Sequence, residues 1–384
     1  MTRRAFVVVA DACGAGALPD AAAYGDAGAD TLVHVAEAVG GLELPVLGGL
    51  GLGNVLALRG VAASAAPALH GRLGARGPGK DSTTGHWELM GAIAPEPLPT
   101  YPDGFPPDVV RALEEATGRR FLCNRPYNGL AAIEDFGAEH LRGGALILYT
   151  SADSVLQIAA HVDLVGEAEL FSLCEAARAV MRGEHAVARV IARPFAGEPG
   201  AFRRTEGRHD ISVPPPGPTY LDACRDAGVP VHAVGKVADL FAGIGIDHAW
   251  PGATNARALE ETGRLIDELD RGLVFTNLVE TDQVYGHRKD VEGFHRALQE
   301  IDRAVGSWLE RLRPGDMLVV TADHGCDPAA AHSDHTREHV PLLARFDGDG
   351  GRRHDGGLSD VGASVLRWLC SRDAPGLPGE SFVG

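Results

Sequence analysis

Three aspartates follow hydrophobic runs in this chain, and histidines stand close after two of them. The runs are AFVVVAD, GLVFTNLVETD and MLVVTADHG, and each is typical of a strand that stops on a polar group. Carboxylate oxygens and imidazole nitrogens bind divalent cations, and two cations about 4 Å apart can clamp the attacking and leaving oxygens of a phosphoryl transfer. The sequence therefore predicts a two-metal centre. Its candidate ligands are Asp11, Asp282, His287, Asp323, His324 and His335.

A lone aspartate or histidine at a strand end is ordinarily a cap or a solvated turn residue. Six of them favour a metal centre, because the carboxyl ends of parallel strands deliver their side chains to one edge of a sheet. Four neighbours could compete for the ligand role, and we expect them at supporting or loop positions instead. They are Asp327, His332, Asp334 and His339.

A glycine-rich loop, GPGKDSTTGHWELMG at 77–91, supplies the candidate nucleophile. The pattern predicts a helix that begins near Thr83 or Thr84 and has Ser82 at its start, where the helix dipole and a metal would favour the alkoxide. The alternative is that Ser82 is only a helix cap, with Thr83 or Thr84 as the functional hydroxyl. The glycine spacing is not that of a Walker A loop.

Short β-branched runs alternate with helical patterns, which predicts an α/β fold with a mostly parallel sheet and helices on both faces. Strands are expected at 5–10, 145–150, 187–192, 230–234, 272–279, 316–321 and 340–345. Helices are expected at 107–117, 167–182, 218–227, 255–270, 290–313 and 359–371.

Two proline clusters, at 94–107 and 213–218, interrupt this alternation. Prolines stop regular structure and often mark domain borders. The metal-type residues lie before the first cluster and after the second, so we expect a catalytic core of residues 1–97 and 217–384 with an inserted domain at 98–216. The alternative is two ordinary surface loops.

The overall composition limits which partners the protein can bind and which cellular compartment it fits. The 384 residues carry a net charge of −17, which argues against general binding to nucleic acids or anionic membranes. The apolar run near the N-terminus is too short for a signal peptide, and no stretch reaches the ~20 apolar residues of a membrane span. The six cysteines form no CxxC pair. We therefore expect free thiols in a reducing cytoplasm, with Cys326 beside the metal centre.

The chain resembles the prokaryotic-type phosphopentomutases of the alkaline phosphatase superfamily, and it is also similar to the cofactor-independent phosphoglycerate mutases. The resemblance runs nearly end to end. It rests on DACGAGALPDAAAYGDAGADTL, LGLGN, GKDSTTGHWELMG, YTSADSVLQIAAH, RVIARPFAGEPGAFRRT, GRHD, VGKVADLF, NLVETDQVYGHRKD, TADHGCDP and DHTREHVPLL.

The resemblance implies an alkaline-phosphatase-like core with an inserted α/β cap, and a manganese-dependent isomerase of nucleoside catabolism. Its substrates would be ribose 1-phosphate and ribose 5-phosphate, or the deoxyribose pair, with a sugar bisphosphate as activator. The two implied metal sites are Asp282, His287 and His335 for one ion and Asp11, Asp323 and His324 for the other, with Ser82 bridging or nearby.

The resemblance also implies the residues that meet the substrate. Ser151 and Asp153 would contact the sugar, while Arg189 and Arg204 would bind the phosphate, since arginine pairs two phosphate oxygens and stays charged. Arg203 and Arg208 lie close enough in sequence to be alternatives. Lys236 or Lys80 would shield the transferring group, although Lys80 could simply pair with Asp81.

Three positions depart from the family pattern: Ser82 stands where threonine is usual, Glu280 replaces an aspartate and Cys326 replaces an asparagine. The last two are expected to tune the surroundings of the metals. The competing functions are a related phosphoglycerate mutase or phosphatase, and a non-catalytic metal-binding protein that kept the fold.

Overall fold

The computed structural model describes residues 3–151, 153–252 and 254–384. The chain divides into two compact units. The core unit comprises Met1–Glu96 and Pro215–Gly384, and the inserted unit is Pro97–Pro214. These limits lie within two residues of the borders predicted from the proline clusters.

The described residues form fourteen strands. They are β1 (Arg4–Ala10), β2 (Leu69–Gly74), β3 (Phe121–Pro126), β4 (Leu146–Thr150), β5 (Val155–His161), β6 (Arg189–Ala196), β7 (Arg203–Arg204), β8 (His209–Ser212), β9 (Val231–Val234), β10 (His248–Trp250), β11 (Gly272–Leu278), β12 (Asp316–Thr321), β13 (Val340–Phe346) and β14 (Gly356–Gly357).

The same residues form twelve α-helices. They are α1 (Thr31–Ala38), α2 (Pro45–Leu50), α3 (Leu52–Val55), α4 (Ser82–Leu89), α5 (Pro107–Thr117), α6 (Gly129–Gly143), α7 (Glu167–Val180), α8 (Tyr220–Asp226), α9 (Val237–Leu240), α10 (Asn255–Glu268), α11 (Val291–Leu309) and α12 (Asp360–Cys370). Short 3-10 turns occur at Ala21–Tyr24 and Gly183–His185, and a π-helical turn at Thr281–Gly286.

The core unit contains an eight-stranded sheet in the order β10-β9-β11-β1-β12-β13-β2-β14. Strand β1 lies at its centre, with parallel β11 and β12 on either side. Every residue of β1 is buried. The uninterrupted apolar run at 5–10 predicts this for six of them, and the seventh, Arg4, pairs with the buried Asp316. The predicted α/β fold with a mostly parallel sheet is confirmed.

Strand β13 runs antiparallel to both β12 and β2. The residues that precede β13 therefore lie at the same sheet edge as the residues that follow β1, β11 and β12. This reversal brings the segment before Val340, which carries His335, to the carboxyl edge of the parallel strands. One of the six candidate ligands, His335, thus reaches the site from the opposite chain direction.

The inserted unit has a sheet of its own, in the order β3-β4-β5-β6-β7, with β8 also paired to β6. Its buried apolar residues form two clusters. Strand β5 is buried along its whole length and contributes to both clusters. Among the described residues of the whole chain, no helix combines the length and the hydrophobicity needed to cross a membrane.

Candidate metal centre

The three parallel strands at the middle of the core sheet each end at one of the predicted aspartates. Asp11 directly follows β1, Asp282 lies in the π-helical turn after β11, and Asp323 follows β12 by two residues. The three carboxylates are only 2–3 % exposed. Because burying an unpaired carboxylate is strongly unfavourable, three of them at one buried edge need compensating positive charge.

All six predicted ligands meet at this edge. The distance from His324 Nε2 is 3.2 Å to Asp11 Oδ1 and 3.4 Å to Asp323 Oδ2. Asp282 Oδ1 lies 3.2 Å from His335 Nε2 and 3.5 Å from His287 Nε2. Separations of this size are what two ligands of one cation show, roughly 3.4 Å for bonds near 2.1 Å in tetrahedral geometry.

The potential ligand atoms fall into three overlapping groups in the described part of the chain. The predicted trio of Asp11, Asp323 and His324 is one of them. The predicted trio around Asp282 is divided, because His335 groups with His324 and Asp282, whereas His287 groups with Asp282 and Cys326. The assignment of the six ligands to individual ions therefore stays a prediction.

The residues present fit divalent cations. Asp282 Oδ1, Asp323 Oδ2 and His335 Nε2 are buried and accept no hydrogen bond from the described residues. Lone pairs left unused in a buried site are unfavourable unless a cation takes them up. A mixed set of carboxylate and imidazole donors suits manganese, zinc or cobalt.

Electrostatics at the centre favour positive charge. Burial alone would lower the pKa of His324, but the carboxylates of Asp323 and Asp11 raise it well above its usual value. Burial would raise the pKa of Asp323, and the neighbouring imidazoles of His324 and His86 lower it below its usual range. The carboxylates thus hold a local negative potential of the kind that a divalent cation neutralises.

Backbone carbonyls orient two of the histidines. His287 Nδ1 donates to Ser333 O at 2.7 Å, and His324 Nδ1 donates to Gly325 O at 3.0 Å. Each bond leaves Nε2 as the nitrogen that faces the carboxylates, which is how a supporting hydrogen bond selects the tautomer of a metal-binding histidine. On the carboxylate side, Asn277 Nδ2 donates to Asp11 Oδ2 at 2.8 Å.

Ser82 is the hydroxyl that reaches the centre. Its Oγ donates to Asp11 Oδ1 at 3.2 Å and lies 3.1 Å from His324 Nε2. The cap of α4 is Asp81, whose carboxylate accepts from two backbone amides, so Ser82 is the first helical residue and not the cap. The hydroxyl of Thr84 instead donates to Asp81.

Lys80 pairs with acidic residues other than Asp81, the partner that the sequence analysis gave as an alternative to a role at the transferring group. Its Nζ lies 3.1 Å from Asp26 Oδ2 and 3.7 Å from Asp334 Oδ2. The buried Asp26 also binds His332 Nε2 at 2.9 Å. Asp26 therefore connects the nucleophile loop to the loop before β13, and its partners are too distant in sequence for spacing to have indicated the contact.

The four neighbours of the ligand set lie at supporting positions. Asp327 accepts from the amide of Asp30 and lies 2.7 Å from His34. His339 contacts Gly16 O. The sequence analysis did not single out Glu338, which accepts from both the amide and the hydroxyl of Thr31 and thereby fixes the loop after β1.

Comparison with known proteins decides the family. A family model described as Metalloenzyme superfamily matches residues 3–371. A phosphopentomutase from Anaeromyxobacter dehalogenans is 51% identical over 382 residues, covering 98% of this chain and 98% of its own. A phosphopentomutase from Carboxydothermus hydrogenoformans is 48% identical over 342 residues, covering 89% of this chain and 88% of its own. This chain belongs to the phosphopentomutase family.

Among solved structures, the PH0037 protein from Pyrococcus horikoshii has a TM-score of 0.51, with 98% of this chain and 99% of that chain covered at 15% identity. That likeness concerns the fold alone. The predicted membership of the phosphopentomutase family, with its alkaline-phosphatase-like fold, is confirmed.

Lys236 is the predicted substrate residue that belongs to the core unit. It lies two residues beyond the end of β9 and precedes α9. Since β9 is parallel to β11, Lys236 lies at the same edge of the sheet as the residues that follow β11. Its contact with substrate remains a prediction.

The other predicted substrate residues of this phosphopentomutase family member lie in the inserted unit. Ser151 and Asp153 flank the turn between β4 and β5, where Ser151 Oγ donates to Asp153 Oδ2 at 3.4 Å. Their proposed role is not tested by these contacts.

Arg189 and Arg204 share one face of the inserted sheet. Arg204 on β7 lies opposite Phe195 on β6, six residues beyond Arg189. At about 3.3 Å per residue, the two backbone positions are roughly 20 Å apart along the strand. Arg193, which the sequence analysis did not name, lies between them on the same face and donates to Gln157 Oε1 at 3.1 Å.

Proposed function

We propose that this chain is a phosphopentomutase that interconverts α-D-ribose 1-phosphate and D-ribose 5-phosphate, and the corresponding 2-deoxyribose phosphates. One observation supports this beyond family membership. The Ser82 hydroxyl contacts Asp11 and His324 at the centre where the six candidate ligands converge. An isomerase that passes phosphate through the enzyme needs a nucleophile at this place.

Ser82 would carry the phosphoryl group between the two sugar positions. As the first residue of α4, it lies at the positive end of the helix dipole, which favours an alkoxide or a phosphate oxygen. The carboxylate of Asp11 holds the hydroxyl facing the centre. Bound cations would supply the charge that stabilises the oxygens of the transferring group.

Two Mn²⁺ ions are the proposed cofactor. The oxygen and nitrogen donors of the centre suit this ion, and the unpartnered buried lone pairs support a cation there. The proposed ligand sets are Asp11, Asp323 and His324 for one ion and Asp282, His287 and His335 for the other.

The inserted unit would bind the sugar phosphate. Arg189 and Arg204 would pair with phosphate oxygens through their planar guanidinium groups, and Ser151 and Asp153 would meet the sugar. Lys236 would reduce the repulsion between substrate and enzyme phosphates. The two arginines share one face of the inserted sheet. Because their backbone positions are roughly 20 Å apart, both side chains must extend toward each other to reach one phosphate.

The reaction would proceed through a sugar bisphosphate. Phosphoserine transfer to the free hydroxyl gives the bisphosphate, and the return of its other phosphate to Ser82 gives the isomer. A sugar bisphosphate would therefore also prime the unphosphorylated enzyme. We further propose a reducing, cytoplasmic location, which the six unpaired cysteines support.

A coupled assay for ribose 5-phosphate formed from ribose 1-phosphate tests the function. The assay is run with and without Mn²⁺ and with and without a sugar bisphosphate primer, while inorganic phosphate is measured in parallel. Isomer formation that needs both additions, with little phosphate release, is the expected result. Stoichiometric phosphate release without isomer would make the protein a phosphatase and overturn the proposal.

A further inference from the structure

Cys326 lies against the part of the centre that holds Asp282 and His287. The sulfur, one oxygen of Asp282 and one nitrogen of His287 all lie within 4.8 Å of one another. Cys326 is 1 % exposed, and its backbone amide donates to Thr31 Oγ1 at 3.1 Å. The thiol makes a long contact of 3.8 Å with Asp334 O.

The neighbouring carboxylate independently indicates a ligand at this point. Asp282 Oδ1 is buried without a hydrogen-bond partner, although it lies 3.5 Å from His287 Nε2. Those two atoms are at the separation of roughly 3.4 Å expected when both bind one cation in tetrahedral geometry. Since His287 Nδ1 is engaged by Ser333 O, the Nε2 lone pair is the one directed to the carboxylate.

Gly286 shows how closely the turn carrying these ligands packs on the thiol. A Cβ at Gly286 would lie 3.1 Å from Cys326 Sγ and 2.9 Å from Thr281 O. A larger residue would therefore separate the π-helical turn from the loop after β12. The absence of a side chain at this position is compatible with the approach of sulfur, imidazole and carboxylate to within 4.8 Å of one another.

We propose that Cys326 is a sulfur ligand of the cation that Asp282 and His287 bind. The sulfur–metal bond forms as the thiol proton passes to the buffer, with no change of oxidation state. The inference rests on the proposed metal centre and adds to it a donor of a different class. A thiolate favours zinc, cobalt or cadmium over manganese or magnesium. With Cys326 as a ligand, the site would therefore prefer these thiophilic metals more strongly than a site of carboxylates and imidazoles alone.

Cobalt spectroscopy tests the sulfur bond directly. The full-length protein is stripped with a chelator, reloaded with two molar equivalents of Co²⁺ and examined in the near ultraviolet for a thiolate-to-cobalt charge-transfer band. The wild type should show the band. Cys326→Ser and Cys326→Ala should lose it while still binding Co²⁺, and Cys13→Ser, the control at the other buried thiol close to the centre, should keep it.

Several results would overturn the inference. Wild-type protein with bound Co²⁺ and no band, or a band that persists in Cys326→Ser, removes sulfur from the coordination sphere while leaving the proposed isomerase untouched. If the wild type fails to retain cobalt, manganese or zinc at all, the metal centre of the proposed function fails with it. Thermal unfolding of each variant checks that a lost band does not reflect a lost fold.

Competition between metals gives a second measurement. Replacing the sulfur in Cys326→Ser should reduce the preference for Zn²⁺ over Mn²⁺, because a thiolate favours zinc over manganese and a hydroxyl oxygen does not. An unchanged preference for Zn²⁺ over Mn²⁺ in Cys326→Ser would contradict the proposal, whatever the intensity of the optical band.

Discussion

At the scale of single residues, Ser82 is set apart from Thr83 and Thr84 by what its hydroxyl contacts. Only Ser82 Oγ is within hydrogen-bond distance of Asp11 and His324 in the described contacts, while the Thr84 hydroxyl is engaged by Asp81. The neighbouring threonines share its chemistry and its loop, which makes them matched controls for its role.

Ser82→Ala should abolish isomerisation, by more than about 1,000-fold in kcat, because loss of a nucleophile removes the covalent route. Metal content, measured by elemental analysis, should stay at the wild-type level since the six candidate ligands are retained. Thr83→Ala should keep most of the activity. Normal turnover of Ser82→Ala, or loss of activity in Thr83→Ala alone, would show that another residue is the nucleophile.

The adjacent arginines of β7 offer a second comparison at this scale. Consecutive strand residues point to opposite faces, so Arg204 shares the face of Arg193 whereas Arg203 points away. Arg204→Ala should raise the Michaelis constant for the sugar phosphate by roughly 10-fold or more, as expected for a lost charged hydrogen bond. Arg203→Ala should leave steady-state kinetics near wild type. Equal effects from both would indicate only a general loss of positive charge.

At the scale of elements, α4 approaches the loop after β12 so closely that one helical position must be glycine. A Cβ at Gly85 would lie 2.6 Å from the backbone oxygen of Asp323. This close approach fixes the distance between the nucleophile at the start of the helix and the ligands that follow the strand.

Gly85→Ala should push α4 away from Asp323 and misplace Ser82. We expect kcat to fall by about 100-fold, the effect of a displacement near 1 Å, with an overpacking cost of about 1–3 kcal/mol in unfolding free energy. Gly49→Ala in α2 is the control, since a Cβ there meets no atom within 4 Å. It should stabilise the protein by roughly 0.5–1 kcal/mol without changing kcat. A fully active Gly85→Ala variant would show that the helix position is not critical.

The elements that the sequence predicts well are those whose apolar pattern reports their own burial. The sequence predicts β12 and α5 at their observed bounds, because both have local signals. Strand β12 contains a β-branched run, and α5 begins at a proline and ends before a glycine. Strand β2, LHGRLG, has no such run, and it is a strand because it pairs with β13. Helix α6 begins and ends in glycine and went unpredicted.

The site shows the same limit. Spacing after three strand ends is enough to single out five of the six candidate ligands, because the carboxyl ends of parallel strands share one edge of the sheet. The sixth, His335, precedes the antiparallel strand β13. The supporting contacts could not be found in this way. Asn277 reaches Asp11 across 266 residues and Asp26 reaches His332 across 306, so only the folded chain brings them together.

At the scale of the whole molecule, the net charge of −17 opposes an anionic substrate. In the proposed function, the arginines of the inserted sheet and the cations bound at the centre would supply local positive potential against this general field. Global stability also depends on buried groups remote from this chemistry, of which His232 on β9, the second strand from the edge of the core sheet, is one.

His232 predicts how global stability responds to acid. It is 5 % exposed, and its ring stacks on that of His248 at 4.6 Å. Burial, and then the neighbouring His248, lower the pKa of His232 to about 4. The unfolded chain takes up this proton near its ordinary pKa of about 6.5, so the unfolded state gains protons first and stability falls as the pH drops from about 6.5 to 4.

His232→Gln removes this titration and keeps a polar side chain of similar size at this position. The variant should lose less unfolding free energy than the wild type between pH 7 and pH 5, measured by urea denaturation at each pH. His209→Gln, at an exposed position of the inserted unit, should retain the wild-type slope. A group changes the slope of unfolding free energy against pH only if its protonation differs between the folded and unfolded chains. Parallel pH profiles for His232→Gln and wild type would therefore mean that His232 does not contribute to the loss of stability in acid.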